Sequence, residues 1–478
     1  MEKGSIDVAI VGGGLAGMIV ATAVSQAGLR AVVLERSAED RYICNSRLTG
    51  GVFHCALRAA DTPPETLRKA IMANHGPDVN EALANAIAQD VLPAIRWLRQ
   101  LGVRFIRASA DPWHRFVLAP PALGRTGDAW RGRGGDTLLR TLEARLLAYG
   151  GEIRRGHAVR SLITHDSLVG GVEGDGFRLV ADRVVIADGG FQQNHELVAQ
   201  AISPRPERIV QRNAGTGWGD GLLMARAVGA AAVPDMSGFY GHVVSRDALM
   251  RDDLRFYPWL DEMARFGMMV TPDGRRFCDE SGGGIRIANQ IAALQDPASA
   301  TVIWDEAIWR GPARARFLAP NPSLDKLGAT IHRADTIEEL ATQAGIDPPS
   351  LAREVAEYNT AIDEGTLDRL TPPRGARGVK PMPILTPPFA AAPAIAGMTY
   401  TMGGIAVDGC SRVMAAGGGV IANLFAVGGS SGGVEGGPRA AYVGGLVKAA
   451  ATGWRAAQTI VETSRAQAGV RVAEFVAS

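Results

Sequence analysis

The chain has 478 residues, enough for two or three domains around a large buried core, and carries 50 Lys+Arg against 49 Asp+Glu. A net charge of +1 gives no global field for nucleic acid or an anionic membrane face, so any ligand has to be sought in local chemistry. Glycine is the departure: 59 residues, against a usual ~7%, mark tight turns and backbone that approaches a ligand closely.

Ile6–Val11 is a β-branched apolar run of the kind that forms a buried parallel strand, and it ends in Gly12-Gly13-Gly14-Leu15-Ala16-Gly17. Met18 to Gln26 follows with a helical pattern closed by Gly28, and Arg30 to Leu34 reads as a second strand ending at Glu35. Strand, glycine turn, helix, strand and acid together form a dinucleotide-binding unit. Gly12 permits the turn and Gly14 lets the backbone approach a pyrophosphate. Gly17 allows close helix–strand packing, and the helix start at Leu15 and Ala16 faces the negative charge. Glu35, with Arg36 beside it, is placed to meet the ribose hydroxyls.

Gly151 to Val180 is β-rich and predicts a small sheet beside this unit. It leads into a further buried strand, Asp182 to Ala187, that opens on Asp188-Gly189-Gly190. From Pro234 the Ala/Gly/Val texture gives way to aromatics and prolines, which predicts an inserted cap over 233–381. Within it Val270 to Phe277 reads as a hairpin around Pro272-Asp273-Gly274, and Thr336–Ala344 and Pro349–Asp363 read as amphipathic helices. Pro381 to Pro388 reads as the return linker. Asn423 to Gly429 is a last strand and Ala440 to Glu462 a last helix. The predicted fold is α/β: a Rossmann-like FAD-binding domain in two parts, 1–232 and 382–478, with a small β-rich segment and an inserted α+β capping domain. The return of the last strand and helix to the first domain after a long insertion favours FAD over NAD.

Cys44, Cys55, Cys278 and Cys410 show no metal-ligand spacing, and no metal is expected. No stretch nears the ~18 uninterrupted apolar residues of a membrane span, and Met1 to Ser5 leave no room for a leader. A reduced, cytoplasmic setting without membrane insertion is the expectation.

The chain resembles the fumarate reductase and succinate dehydrogenase flavoprotein superfamily, in its single-subunit branch near 3-ketosteroid dehydrogenases and tricarballylate dehydrogenase. The resemblance rests on Gly12–Gly17 with Glu35, Ala187–Phe191, Gly215–Gly221, Gly274–Glu280, Tyr358-Asn359, Pro387–Phe389, Thr401–Ile405 and Ala426–Gly429, in the family's order. It implies a redox enzyme that adds or removes hydrogen across a CH–CH bond next to a carbonyl or carboxylate. It also implies a small acid or ketone substrate and an electron donor or acceptor that the sequence does not identify. Cofactor contacts are expected at Ser46, Thr49, Gly50 and Gly51, at Asp188, Gly189, Gly190 and Asp220, and at Gly404, Gly428, Gly429 and Gly444. The Gly444-Gly445 turn is expected to aim a helix start at the reduced flavin's charge. The Asn45–Gly51 loop lacks the histidine through which succinate dehydrogenases attach FAD, so FAD is expected to be noncovalent.

Among the catalytic candidates, His242 resembles the family's substrate-carboxylate histidine and Arg439 its carboxylate-clamping arginine. Tyr400 stands where fumarate reductases place a histidine, and could hydrogen-bond a carbonyl or carry a proton. Ser281–Gly284 stands where they place the proton-donating arginine, with Arg286 two positions late. Fumarate reduction is therefore not implied. A flavin-dependent amine or hydroxyl oxidase, or a flavin-binding subunit without turnover of its own, are the alternatives.

Overall fold

The computed structural model describes residues 6–122, 127–166, 168–256, 259–314, 323–375 and 380–477. Its first layer is a sheet whose core is parallel, as a buried βαβ arrangement requires. Strand β1 (Ile6–Val11) runs into helix α1 (Leu15–Gln26), which returns the chain to β2 (Ala31–Glu35) beside β1. On the other side of β1 lies β3 (Phe177–Ile186), then Val420–Ala426, both parallel to it. Glu152–Arg155 closes the far edge beside β2. The β-rich segment is continuous with this sheet, because β3 first pairs antiparallel with Leu168–Gly174 and then enters the parallel sheet. The strand interiors Val8–Ile10 and Val184–Ile186 are fully buried.

The second layer is a six-stranded sheet, and it redraws the expected domain boundary. Strand β4 (Phe239–Ser245) lies in the cap, as do Met268–Val270, Thr301–Trp304 and His332–Ala334. They assemble on β5 (Phe389–Thr401), which pairs with β4, Thr301–Trp304, His332–Ala334 and Val210–Gln211. The division at 381/382 thus cuts the cap from its own longest strand, and Val210–Gln211 joins this sheet from before 233. The run Phe389-Ala-Ala-Ala-Pro-Ala-Ile-Ala-Gly concealed a strand because it carries few β-branched or aromatic residues.

The motif Gly274–Glu280 anchors the cap internally. Gly274 turns at φ +77°, and Arg276 pairs with the fully buried Glu280 at 2.5 Å. Glu280 also pairs with Arg374 and accepts the Met269 amide at 3.1 Å. Gly283 and Gly284 open helix α2 (Gly283–Ala292). A Cβ on Gly284 would fall inside the Asp261 carboxyl group, so this glycine is there for close packing.

The chain finishes in helix α3 (Gly445–Ala477), which crosses α1 so closely that a Cβ on Gly453 would press on the Ala16 carbonyl. Among the described residues no helix is long and apolar enough to cross a membrane.

Candidate active site

Each glycine of the first turn meets the demand its position predicts. Gly12 has φ +102°, and a Cβ there would lie 2.7 Å from the Ala187 carbonyl oxygen. A Cβ on Gly17 would fall on the Gly12 carbonyl oxygen. Gly14 differs: the nearest atoms to its would-be Cβ are Ser46 Oγ at 3.8 Å and the Ala187 oxygen at 3.9 Å, so the space before it is open. Gly14 also caps α1 without a side-chain bond, and the first turn carries no acid. Backbone amides, a helix dipole and open volume together fit a pyrophosphate.

Around this opening the other candidates close in. Ser46 Oγ accepts the Leu15 amide at 3.0 Å, and Asn45 bonds Thr399 and Ala214 at 3.1 and 2.9 Å, which fixes the loop between the two sheets. Thr49 accepts the Gly51 amide at 3.1 Å, and Gly51, at φ +86°, packs on Leu118; Gly50 lies between them. Glu35 accepts the Gly13 and Ser37 amides, both at 3.0 Å, one on each oxygen, leaving lone pairs for a ribose. Arg36 and Asp220 form an ion pair with each other. Asp188 accepts Gly221 N–H at 2.7 Å and Ser430 Oγ–H at 2.9 Å, and burial raises its carboxyl. Ser430 in turn accepts the Gly189 amide, and Gly190, Gly404, Gly428 and Gly429 interlock so tightly that a Cβ on each would crowd Thr401, Ser430, Ala16 or Gly190. These residues therefore converge beside the α1 start. Asp188 and the glycines shape the wall, while Gly14, Ser46 and the α1 amides border the opening.

The catalytic candidates separate. Tyr400 and Tyr240 sit directly opposite each other across β5 and β4, with ring centroids 5.4 Å apart, and Tyr442 stacks on Tyr240 at 4.4 Å. All three tyrosines are half-buried. Burial and the Glu435 carboxylate hold the Tyr400 hydroxyl well above its ordinary range, so it stays a neutral phenol. Its hydroxyl donates to Glu435 Oε1 at 3.1 Å.

His242 stands one layer behind. It is 6% exposed, its Nδ1 is 2.6 Å from Asp261 Oδ2, its Nε2 is 3.1 Å from the Tyr240 hydroxyl, and Trp259 stacks on it at 3.7 Å. Burial lowers its pKa against the opposing effect of Asp261. With both ring nitrogens engaged, His242 orients Tyr240 and does not itself present a donor to a substrate carboxylate.

Arg439 and Arg286 take partners other than the tyrosines. Arg439 is exposed and donates to the Ala73 carbonyl at 3.0 Å, because the two residues Ala440-Ala441 turn the chain before Tyr442, with Ala440 at φ +45°. Arg286 pairs with Asp279 at 3.3 Å within the cap. Just before the start of α3, Glu435 Oε1 accepts the Val443 and Gly444 amides at 3.0 and 3.1 Å. Sequence reasoning missed Tyr240, Tyr442, Asp261, Glu435 and Lys448. Tyr240 alone left a signal, two residues before His242 and so on the same strand face.

A model of the FAD binding domain matches residues 7–441. The chain belongs to the FAD binding domain family. This flavoprotein is 26% identical over 451 residues to a probable fumarate reductase, Ifc3, of Shewanella frigidimarina, covering 90% of this chain and 70% of that one. It is 28% identical over 307 residues to a 4-oxocyclohexanecarboxylate 2-dehydrogenase of Sinomonas cyclohexanicum, covering 57% of this chain and 48% of that one. Its fold superposes on a 3-ketosteroid-delta4-(5alpha)-dehydrogenase from Rhodococcus jostii RHA1 with a TM-score of 0.70 at 23% identity, over 96% of this chain and 97% of the other. The flavoprotein has FAD as its cofactor, and its similarity runs to fumarate reductases and to dehydrogenases of cyclic ketones.

Two expectations follow for the flavoprotein. Acid precipitation of the holoenzyme should leave the yellow colour in the supernatant, since the Asn45–Gly51 loop offers no histidine and His54 Nδ1 already accepts the Leu57 amide at 3.2 Å. Colour on the pellet would contradict noncovalent binding. Burial also lowers the His54 pKa from 6.5 to about 4. The unfolded chain binds that proton below its ordinary value while the folded chain refuses it, so stability falls as pH drops from about 6.5 to about 4, by about 3 kcal/mol in all. Urea midpoints for His54→Asn should depend less on pH across that window than those of the wild type.

Proposed function

We propose that the enzyme dehydrogenates a ketone or monoacid beside its activating carbonyl, or reduces the corresponding unsaturated compound, in preference to fumarate. The observation that carries this reading is that the tyrosine cluster presents no free cation among the described residues: Glu435, behind Tyr400, is paired with Lys448 at 3.4 Å, and Tyr240 and Tyr442 lie alongside. A dianion would need cations at both ends. His242 is buried beside Asp261, Arg286 is paired, Arg439 is exposed and bonded to the Ala73 carbonyl, and Arg212, whose charge acts on His242, bonds the Phe256 carbonyl at 2.6 Å. The 4-oxocyclohexanecarboxylate 2-dehydrogenase and the ketosteroid dehydrogenase, named for cyclic ketone substrates, support the same substrate class.

Gly12 to Gly17, Glu35 and Ser46 to Gly51 would hold FAD, which when bound exchanges a hydride with the substrate. Tyr400, Tyr240 and Tyr442 form an apolar-faced, neutral wall suited to a ring or alkyl chain. A panel of saturated cyclic ketones, monoacids and succinate, mixed anaerobically with the holoenzyme, tests the assignment. Turnover is expected with a ketone or monoacid at a kcat/KM at least 10-fold above that for succinate, and preference for the diacid would refute it.

A further inference from the structure

Glu435 belongs to no motif singled out in the sequence, yet it is 2% exposed and central to the site. Its Oε1 accepts three bonds, from Val443 N–H, Gly444 N–H and the Tyr400 hydroxyl, at 3.0, 3.1 and 3.1 Å. Among the described residues its Oε2 has no hydrogen-bond partner; it faces Lys448 Nζ at 3.4 Å, an ammonium that is itself buried and among them otherwise unbonded. The other titratable groups whose charge couples to Glu435 are Tyr442 and Cys55, the latter with its thiol pushed up to about 12 by burial and by Glu435. A buried ion pair with incomplete hydrogen bonding is a poor stabiliser, since apolar residues of the same volume do as well or better. Its effect on Tyr400 is specific. By taking the hydroxyl hydrogen, Glu435 leaves the lone pairs of the phenol oxygen as the acceptor sites of Tyr400.

We propose that Glu435 is the proton acceptor behind Tyr400, with Lys448 as its counter-ion. The substrate C–H bond next to the carbonyl breaks and its proton bonds to the Tyr400 oxygen, as the Tyr400 O–H proton passes to Glu435 Oε1. FAD, when bound, would be the oxidant that takes the hydride from the neighbouring carbon. Reduction runs the same path backward, with Glu435 returning the proton through Tyr400. Glu435 is thus a positioning and proton-holding residue acting through Tyr400, and this role rests on the ketone or monoacid reading above.

The test uses holoenzyme and 4-oxocyclohexanecarboxylate as probe, following anaerobic bleaching of the flavin from about pH 5 to 9. The wild-type profile is recorded first. Glu435→Gln should lower the rate about 10²-fold and change the shape of that profile with FAD still bound, and Glu435→Asp should restore part of both. Because Glu435→Gln leaves Lys448 unpaired, the double variant Glu435→Gln/Lys448→Met is measured beside it and should show the same loss. A Glu435→Gln enzyme, or its double variant, with wild-type rate and profile overturns the proposal. If the probe bleaches not even the wild type, the substrate reading is at fault, and ultraviolet titration of tyrosine in substrate-free holoenzyme decides for Glu435. The signal lost in Tyr400→Phe should titrate at lower pH in Glu435→Gln than in the wild type, and an unchanged midpoint overturns the coupling.

Discussion

Tyr400→Phe is expected to retain FAD and the fold while lowering turnover about 10²-fold. The phenol oxygen is the atom of β5 that joins the half-buried tyrosine cluster to the buried Glu435, and no other hydroxyl bonds that carboxylate among the described residues. Losing one preorganised hydrogen-bonding group at a reacting centre costs on the order of 10²–10³ in rate. The ring itself is kept, so the contact with Tyr240 and the close approach of Gly445, whose Cβ would lie 3.1 Å from the ring carbon Cε1, persist. Steady-state kinetics with the best ketone or monoacid, set beside the flavin spectrum and the melting temperature, checks this. A fully active Tyr400→Phe would remove the tyrosine from the mechanism.

Gly14→Val is expected to give a folded protein that does not retain FAD. Gly14 has φ −69° and ψ 177°, an extended conformation open to any residue, and a Cβ there meets nothing of the chain closer than 3.8 Å. The space it would fill is the space the pyrophosphate needs. Gly17→Val should behave differently, because its Cβ would fall on the Gly12 carbonyl oxygen between β1 and α1, so misfolding is expected. Gel filtration with absorbance at the flavin and protein bands separates the two outcomes. Comparison must be with apo wild type, since FAD binding itself raises the melting temperature. Yellow Gly14→Val protein would contradict the placement of the pyrophosphate.

The two variants also mark what the sequence made legible. Gly12, Gly14 and Gly17 could be read in advance because the turn, the ligand approach and the helix crossing each exclude a Cβ at a fixed spacing. The same holds for Pro272-Asp273-Gly274, where the expected turn appears with the Gly274 amide bonded to Thr271 at 2.9 Å, and for the helices Ile337–Ala344 and Pro348–Glu364. Local rules failed where the decisive contact was distant. Glu435 and Tyr400 are 35 residues apart, and the glycines around Glu435 suggest a turn and give no hint of a carboxylate under a tyrosine. His242 and Arg439 were placed by family position, which carries no information about Asp261 closing on the histidine or about Ala440-Ala441 moving the arginine outward. Phe389–Thr401 was not legible as a strand because alanine and proline, which fill much of β5, carry little strand propensity of their own.

The central claim is that FAD and the tyrosine cluster act together on the CH–CH bond of a ketone or monoacid. Anaerobic titration of the yellow holoenzyme tests it most directly. Bleaching by a saturated cyclic ketone or monoacid, with return of the colour on adding the α,β-unsaturated counterpart, is the predicted result. An enzyme indifferent to every such pair, whose reduced form is reoxidised rapidly by fumarate, would contradict the account.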